Sequence, residues 1–367
     1  MKIAHLTSAH PRIDTRIFLK QCRSLAAAGH EVTLVVADGL GDETRDGVRI
    51  VDAGGSKGRM DRMTGATRRV LQRAIAADAT LYHLHDPELL PAGLVLKRRG
   101  KRVVFDSHED VPQDILTKPY IPQPLRQPAS LITAAVIRAI CRRLDGVVTA
   151  TPFIRDNFRA MGIRSVDINN FPMLGELESE AGWSAKQREV CYVGSLTVIR
   201  GIVEMVQAIG LASPGIRLNL GGRLDGADVE QAAKREPGWA RVNALGFLDR
   251  NGVRDVLSRS VAGLVTLHPV STHIDSLPVK MFEYMSAGIP VIASDFPLWR
   301  DIIERNKCGL LVDPLDPASI AAAIDQLVGN LELAQRMGEN GRQAVLKQYT
   351  WAVEEGKLMD FYASICA

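Results

Sequence analysis

Aromatic residues make up only 5% of this 367-residue chain, so a core built from it rests on Leu, Ile, Val and Ala. The five cysteines (Cys22, Cys141, Cys191, Cys308 and Cys366) are odd in number, scattered and without CxxC spacing. That argues against a disulfide framework or a zinc site and fits a reducing compartment, so the cytoplasm is the expected location. No apolar run reaches the ~18 residues that span a bilayer. The opening Met1-Lys2-Ile3-Ala4-His5-Leu6 is too short for the apolar region of a signal peptide and has no cleavage site. A net charge of +3 is too small to suggest a nucleic-acid partner. No G-x-G-x-x-G follows the first strand-like run, which weighs against a nicotinamide-dependent oxidoreductase. There is no internal repeat or low-complexity tract.

What is present is an ordinary globular balance, 46% apolar and 24% charged, at a length that suggests two domains. Positive charge is uneven. Arg68, Arg69 and Arg73 cluster, as do Lys97, Arg98, Arg99, Lys101 and Arg102, and then Arg138, Arg142 and Arg143. Two readings stand: a solvated basic face, or attraction to anionic lipid headgroups at the cytoplasmic face of a membrane. The stretch Leu116–Leu144 carries Pro119, Pro122, Pro124 and Pro128, then apolar residues interspersed with Arg138, Arg142 and Arg143. Its later part reads equally as an interfacial amphipathic helix or as a core helix.

Short β-rich runs alternate with helical patterns throughout. The strand-like runs are Ile3–Thr7, Val32–Ala37, Val48–Asp52, Ala79–His83, Arg102–Asp106 and Val147–Ala150. A second series comprises Glu189–Val193, Ile216–Leu220, Val242–Leu245, Ala262–Leu267, Pro290–Ala293 and Gly309–Val312. Continuous Val/Ile runs of this kind are what parallel strands covered on both faces require. A helix is expected after Asp14 and to end at Gly29, and another after Asp316-Pro317. The pattern predicts two doubly wound α/β domains. Residues 1–170 form the first domain, 171–188 a linker with Pro172, Gly175, Glu176, Glu178 and Glu180, and 189–350 the second domain. Residues 351–367 form a terminal helix expected to pack back on the first domain. Ligands of such sheets bind beyond the carboxyl ends of the strands.

The most informative segment runs from Asp275 through Leu277, Pro278, Val279, Lys280 and Glu283 to Ala287-Gly288 and Pro290-Val291. Asp275 falls in a loop, and Glu283, eight positions on, about one turn into a helix. Pro278 suits that helix's first turn. The N–H groups at the helix start can receive an anion, Glu283 can take two hydrogen bonds from a vicinal diol such as ribose, and Asp275 can hold sugar hydroxyls. A second segment, Tyr192-Val193-Gly194-Ser195 to Arg200-Gly201, reads as strand, loop and helix start, with Arg200 as a cation facing a diphosphate. Gly221-Gly222 and Gly246-Phe247 end two further strands, where glycine lets a ligand approach the backbone.

These segments resemble the GT-B glycosyltransferases, specifically the large retaining family numbered four. Its signature is Glu, seven residues, Glu, then a small-residue helix, Gly and Pro-Val; here Asp275 stands for the first Glu and Glu283 keeps the second. The resemblance implies a GT-B fold of two Rossmann-like domains facing across a cleft, the first presenting the acceptor and the second binding the nucleotide sugar, with retention of anomeric configuration. It implies that Gly194, Ser195, Arg200, Gly222, Phe247 and the Leu277–Glu283 segment bind the donor, a UDP-, GDP- or ADP-sugar. Where the family usually has a cation, this chain has Ser195, so the missing charge would come from Lys280 or from an arginine of the first domain. The resemblance also places His108, in Phe105-Asp106-Ser107-His108, beside the donor sugar. His108, Arg200 and Asp275 are thus the expected catalytic residues.

Two further segments read as acceptor surface: Ser8 to Arg16, with His10, Arg12, Asp14 and Arg16, and His83 to Glu88, with His85 and Asp86. Asp14 can also cap a helix. A metal pair at His85 and Asp86 lacks a third ligand of convincing spacing. No Asp-x-Asp occurs anywhere in the chain. Metal-dependent sugar transferases commonly use that pair, so helix N-termini and cations are expected to neutralise the leaving group, with no metal and no cofactor. The expected acceptor is a saccharide or a polyprenyl-linked saccharide, in bacterial surface or exopolysaccharide synthesis. A nucleotide-sugar 2-epimerase of the same fold, or a catalytically silent partner in a polysaccharide-assembly complex, are the competing readings.

Overall fold

Each strand-like run forms a strand in the computed structural model, which describes residues 1–118, 121–178 and 182–367. The chain divides into two units, Met1–Asn170 together with Glu354–Ala367, and Phe171–Val353. In the first, eight strands lie in the order β3-β4-β2-β1-β5-β6-β7-β8. They are β1 Lys2–Leu6, β2 Glu31–Val36, β3 Glu43–Arg45, β4 Val48–Asp52, β5 Leu81–Leu84, β6 Arg102–Ser107, β7 Gly146–Thr149 and β8 Ser165–Asp167. All pair in parallel except edge strand β3. β3 and β8 have no counterpart among the sequence expectations. β3 is set by a tight turn with positive φ at both Asp46 and Gly47, the Asp-Gly hairpin signal.

The second unit holds six parallel strands in the order β11-β10-β9-β12-β13-β14. They are β9 Glu189–Val193, β10 Arg217–Gly221, β11 Val242–Gly246, β12 Ala262–Val265, β13 Val291–Ser294 and β14 Gly309–Val312. Aliphatic residues fill both faces of this sheet. Val190, Leu218, Leu264 and Ile292 pack on one side, and Cys191, Val265, Val291 and Ala293 on the other. Burial on both faces is why the inner strands β9, β12 and β13 read as apolar runs.

The helix after β1 begins as a wide-turn segment, Thr15–Cys22, continued by Arg23–Ala27. Asp14 caps it, accepting from the N–H groups of Arg16 (2.8 Å) and Ile17 (2.9 Å). Asp316 caps helix Pro317–Gly329 in the same way. Within 171–188, Phe171 and Leu177 are buried in the core of the second unit, whereas Pro119 and Glu180 lie outside the described residues. Helix Trp351–Cys366 starts in the second unit and contributes Glu354 onward to the first. There the buried Glu354 accepts from the Asn169 N–H at 2.7 Å. Among the described residues, no helix is long and apolar enough to cross a membrane.

Candidate functional sites

In the second unit, Gly194, Ser195, Arg200, Gly222 and Phe247 line one cavity of about 750 Å³ at the carboxyl ends of β9, β10 and β11, together with His273. The backbone there is built for close approach. Gly222 has φ +140°, and a Cβ on it would lie 1.9 Å from the Gly194 carbonyl oxygen. Gly201, at φ +73°, would clash in the same way with the Thr266 carbonyl at 2.2 Å. Glycine is therefore obligatory at both positions. Arg200 closes a short 3-10 turn, Val198–Arg200, immediately before helix Ile202–Leu211.

Lys280 lies behind Gly194. It is only 9% exposed, and its Nζ stands 4.9 Å from the Tyr192 ring centroid and 3.2 Å from where a Gly194 Cβ would be. No carboxylate pairs with it among the described residues. Burial, seconded by Arg200 and opposed by Glu283, lowers its ammonium to about 7. A buried cation without a counter-ion is costly unless an anion arrives to meet it.

Pro278 is the N-cap of helix Val279–Ser286, one position earlier than the expected first turn. Asp275, Leu277, Pro278, Val279 and Glu283 do not line the cavity; they lie on the loop and helix that carry Lys280. The loop is anchored by the buried Trp299, whose indole N–H donates to the Ser276 carbonyl at 2.7 Å. Glu283 accepts from Arg250 Nη1 at 2.7 Å, and Arg250 Nη2 also donates to Glu176. Arg250 is absent from the sequence expectations because it opens a separate helix, Arg250–Arg259, with no motif of its own.

In the first unit, His10, His85, Asp86 and His108 border a cavity of about 760 Å³ whose walls include Leu90, Ile132, Val136 and Ile137. His10 is raised, first by its contact with Asp14. Three expected acceptor contacts turn out to be internal. Arg12 is spent on a two-pronged pair with Asp38 (2.7 Å each) and on Glu43 (3.0 Å). Arg16 points inward rather than at a ligand phosphate, clamping both oxygens of buried Asp106 at 2.8 and 3.0 Å. Asp86 accepts from Thr7 Oγ1 (2.8 Å) and Ser8 N–H (2.6 Å), fixing the loop after β1.

Beneath His108 lies a buried group that sequence reasoning left unassembled: His5, His83, His85, Asp106 and Tyr362. Parallel register sets His5 beside His83, and His83 and His85 share a face by strand alternation, which is the signal that could have found them. Burial would raise the Asp106 carboxyl, but Arg16 and then His108 hold it well below the usual carboxylate range. Burial drives His85 down to about 3 and His5 and His83 well below the ordinary value, so these imidazoles are neutral. Ligand atoms of His85, Asp106 and His108 lie within 4.8 Å of one another, as do those of His5, His83 and His85, and Asp86, the expected partner of His85, belongs to neither group. The set containing Asp106 does not suit a metal, because Arg16 already occupies both carboxylate oxygens and brings a positive charge.

Residues 15–172 match the family described as glycosyl transferase 4-like domain, and residues 176–344 match glycosyl transferases group 1. Alpha-maltose-1-phosphate synthase of Mycobacterium tuberculosis (strain ATCC 25618 / H37Rv) is 26% identical over 203 residues, covering 53% of this chain and 52% of that protein. The match thus spans about half the length of that relative. The phosphatidyl-myo-inositol mannosyltransferase of Mycobacterium leprae (strain TN) is 24% identical over 363 residues, 94% of this chain and 88% of that protein. Among solved structures, sucrose-phosphate synthase from Thermosynechococcus elongatus superposes with a TM-score of 0.80 at 21% identity, covering 99% of this chain and 98% of that one. Anabaena HepE in complex with UDP-glucose gives 0.73 at 14% identity, covering 99% and 100%. With its two parallel sheets, the chain therefore has the GT-B fold and falls in the glycosyltransferase group that these two family models describe.

Proposed function

We propose that the chain transfers a hexose-type sugar from a nucleotide diphosphate sugar to a saccharide or lipid-linked saccharide, with retention of configuration and without a metal, in bacterial surface polysaccharide synthesis. The observation that carries this reading is the second unit's cavity. Gly194, Gly221 and Gly222 line it without side chains, Arg200 lines the wall, and Lys280 stands buried behind it with no counter-ion among the described residues. Cations and N–H groups at that place neutralise a leaving diphosphate. Glu283 takes the ribose diol and Asp275 the sugar hydroxyls. HepE, solved with UDP-glucose, supports a nucleotide-sugar donor. The mannosyltransferase relative, named for phosphatidyl-myo-inositol, supports a lipid-linked acceptor.

On the acceptor side, the first unit's cavity joins polar groups (His10, His108) to an apolar wall. That wall belongs to helix Gln123–Cys141, whose Leu131, Ile132 and Val136 are at least half exposed. An outward apolar face on this helix suits peripheral membrane contact. The test is thermal shift of the full chain against UDP-, GDP- and ADP-sugars, followed by product analysis with and without acceptor. Stabilisation by a sugar nucleotide and a new glycoside with acceptor support the reading. A rearranged free sugar nucleotide made without acceptor would identify the epimerase instead, and absence of binding to all donors would end the proposal.

A further inference from the structure

The buried imidazoles beneath His108 form a hydrogen-bonded series whose proton positions the single carboxylate decides. Asp106 can only accept, so a ring nitrogen facing it is favoured in its N–H form. His83 Nε2 is buried with no hydrogen bond and lies 3.8 Å from Asp106 Oδ2. With its proton there, His83 Nδ1 is left to accept from the Tyr362 hydroxyl, its short-range partner. The Tyr362 oxygen then accepts from His5 Nε2–H at 3.5 Å. His5 Nδ1 accepts in turn from His85 Nε2–H at 2.8 Å. His85 Nδ1 thereby becomes an acceptor for His108 Nε2–H at 3.3 Å, and that same proton faces Asp106 Oδ2 at 3.4 Å. His5 and His85 each give one proton and take one, while His108 gives its Nε2–H and keeps Nδ1 free of the series. This order leaves one lone pair, that of His85 Nδ1, facing Asp106 Oδ2 at 3.5 Å, whereas the reverse order turns two, those of His83 and His108, toward the carboxylate.

We propose that Asp106, with His5, His83, His85 and Tyr362, acts as a set of positioning residues that holds His108 with its Nε2–H inward and its Nδ1 lone pair toward the cavity. The cavity then recognises a ligand hydroxyl at this point and disfavours a phosphate or carbonyl oxygen, which would meet a lone pair. This rests on the reading of the first unit's cavity as a sugar-binding site, but the tautomer itself does not. Arg16 and Gln21, donating to Asp106 at 2.8 to 3.0 Å, keep the carboxylate aimed and ionised. A tautomer fixed by a second group is the means by which a buried carboxylate orients an imidazole in other enzymes.

The experiment is a long-range proton–nitrogen correlation spectrum of the full-length protein labelled with nitrogen-15 at histidine, with His108 identified by the signal lost in His108→Gln. The expected wild-type result is a protonated Nε2 and an unprotonated Nδ1. An Nδ1–H form, or an averaged signal, overturns the proposal without recourse to any activity. Asp106→Asn is expected to abolish the single tautomer and to lower kcat on the order of 10–100-fold, leaving KM for the sugar nucleotide unchanged. A variant that keeps the wild-type spectrum or turnover also overturns it. Should no donor support transfer by the wild type, the functional reading fails while the spectrum still decides the tautomer.

Discussion

Arg250 and Glu283 meet through a 2.7 Å hydrogen bond between Nη1 and Oε1, joining the first residue of helix Arg250–Arg259, which follows β11, to the helix that bears Lys280. The carboxylate proposed to grip a ribose is thus already oriented by a guanidinium. One of its oxygens is held while the other remains for the diol.

Glu283→Ala is expected to weaken sugar-nucleotide affinity about 10–100-fold, the equivalent of one or two hydrogen bonds to a charged group. Its melting temperature should stay near wild type. Arg250 is half exposed, so Arg250→Ala should cost no more than about fivefold. Calorimetric titration of both variants and of the double variant measures the coupling. Equal, additive losses would show that Arg250 acts on its own account.

Lys280 gives donor binding a pH dependence. Its ammonium, lowered to about 7 chiefly by burial and then by Arg200, is stabilised by an incoming diphosphate. Binding should therefore take up a proton above pH 7, and affinity should fall as pH rises from there, by at most about tenfold per unit. Glu283 opposes the lowering, and His273 and Arg200 face the same ammonium. Titrations in buffers of different ionisation enthalpy read the proton directly, and Lys280→Met should remove it. The stability sign runs the same way. The folded state binds fewer protons between about 7 and the ordinary 10.5, so the cost of burying the ammonium is full below pH 7 and lifts as pH rises to 10.5.

Gly222→Ala places a methyl carbon 1.9 Å from the Gly194 carbonyl oxygen. The two loops must part. The expected outcome is a stability loss of about 2–4 kcal/mol with donor affinity lost before the fold is. Urea unfolding followed in parallel with donor titration checks the order.

Arg12→Ala separates structure from chemistry. Its hydrogen bonds go to Asp38, Glu43 and the Gly41 carbonyl, and none to the cavity. Stability should drop by about 1–3 kcal/mol while KM for both substrates is unchanged. A raised acceptor KM at full stability would return this arginine to the acceptor surface.

The two sheets were legible because every strand buried on both faces writes itself as a Val/Ile run, and the cavity glycines because they end such runs. The short edges β3 and β8 were not, having too few residues to show a period. Within the sites, Arg200 and Gly222 follow from their place after a strand. Arg250 does not, since a pairing between two helices distant in sequence leaves no local spacing. Arg12 and Arg16 misled because a cation in a loop beside a strand end looks alike whether it serves a ligand or a buried carboxylate. Only the position of Asp38 and Asp106 in space distinguishes the two.

The shared final helix has a practical outcome for anyone dissecting the protein. Cutting after Asn170 would strip the leading fragment of Glu354, which caps the Asn169 amide, and of Tyr362, which closes the imidazole series. A faithful isolated first half must be a fusion of residues 1–170 to 354–367 through a linker, and expression of the bare amino-terminal segment should yield an incompletely folded product.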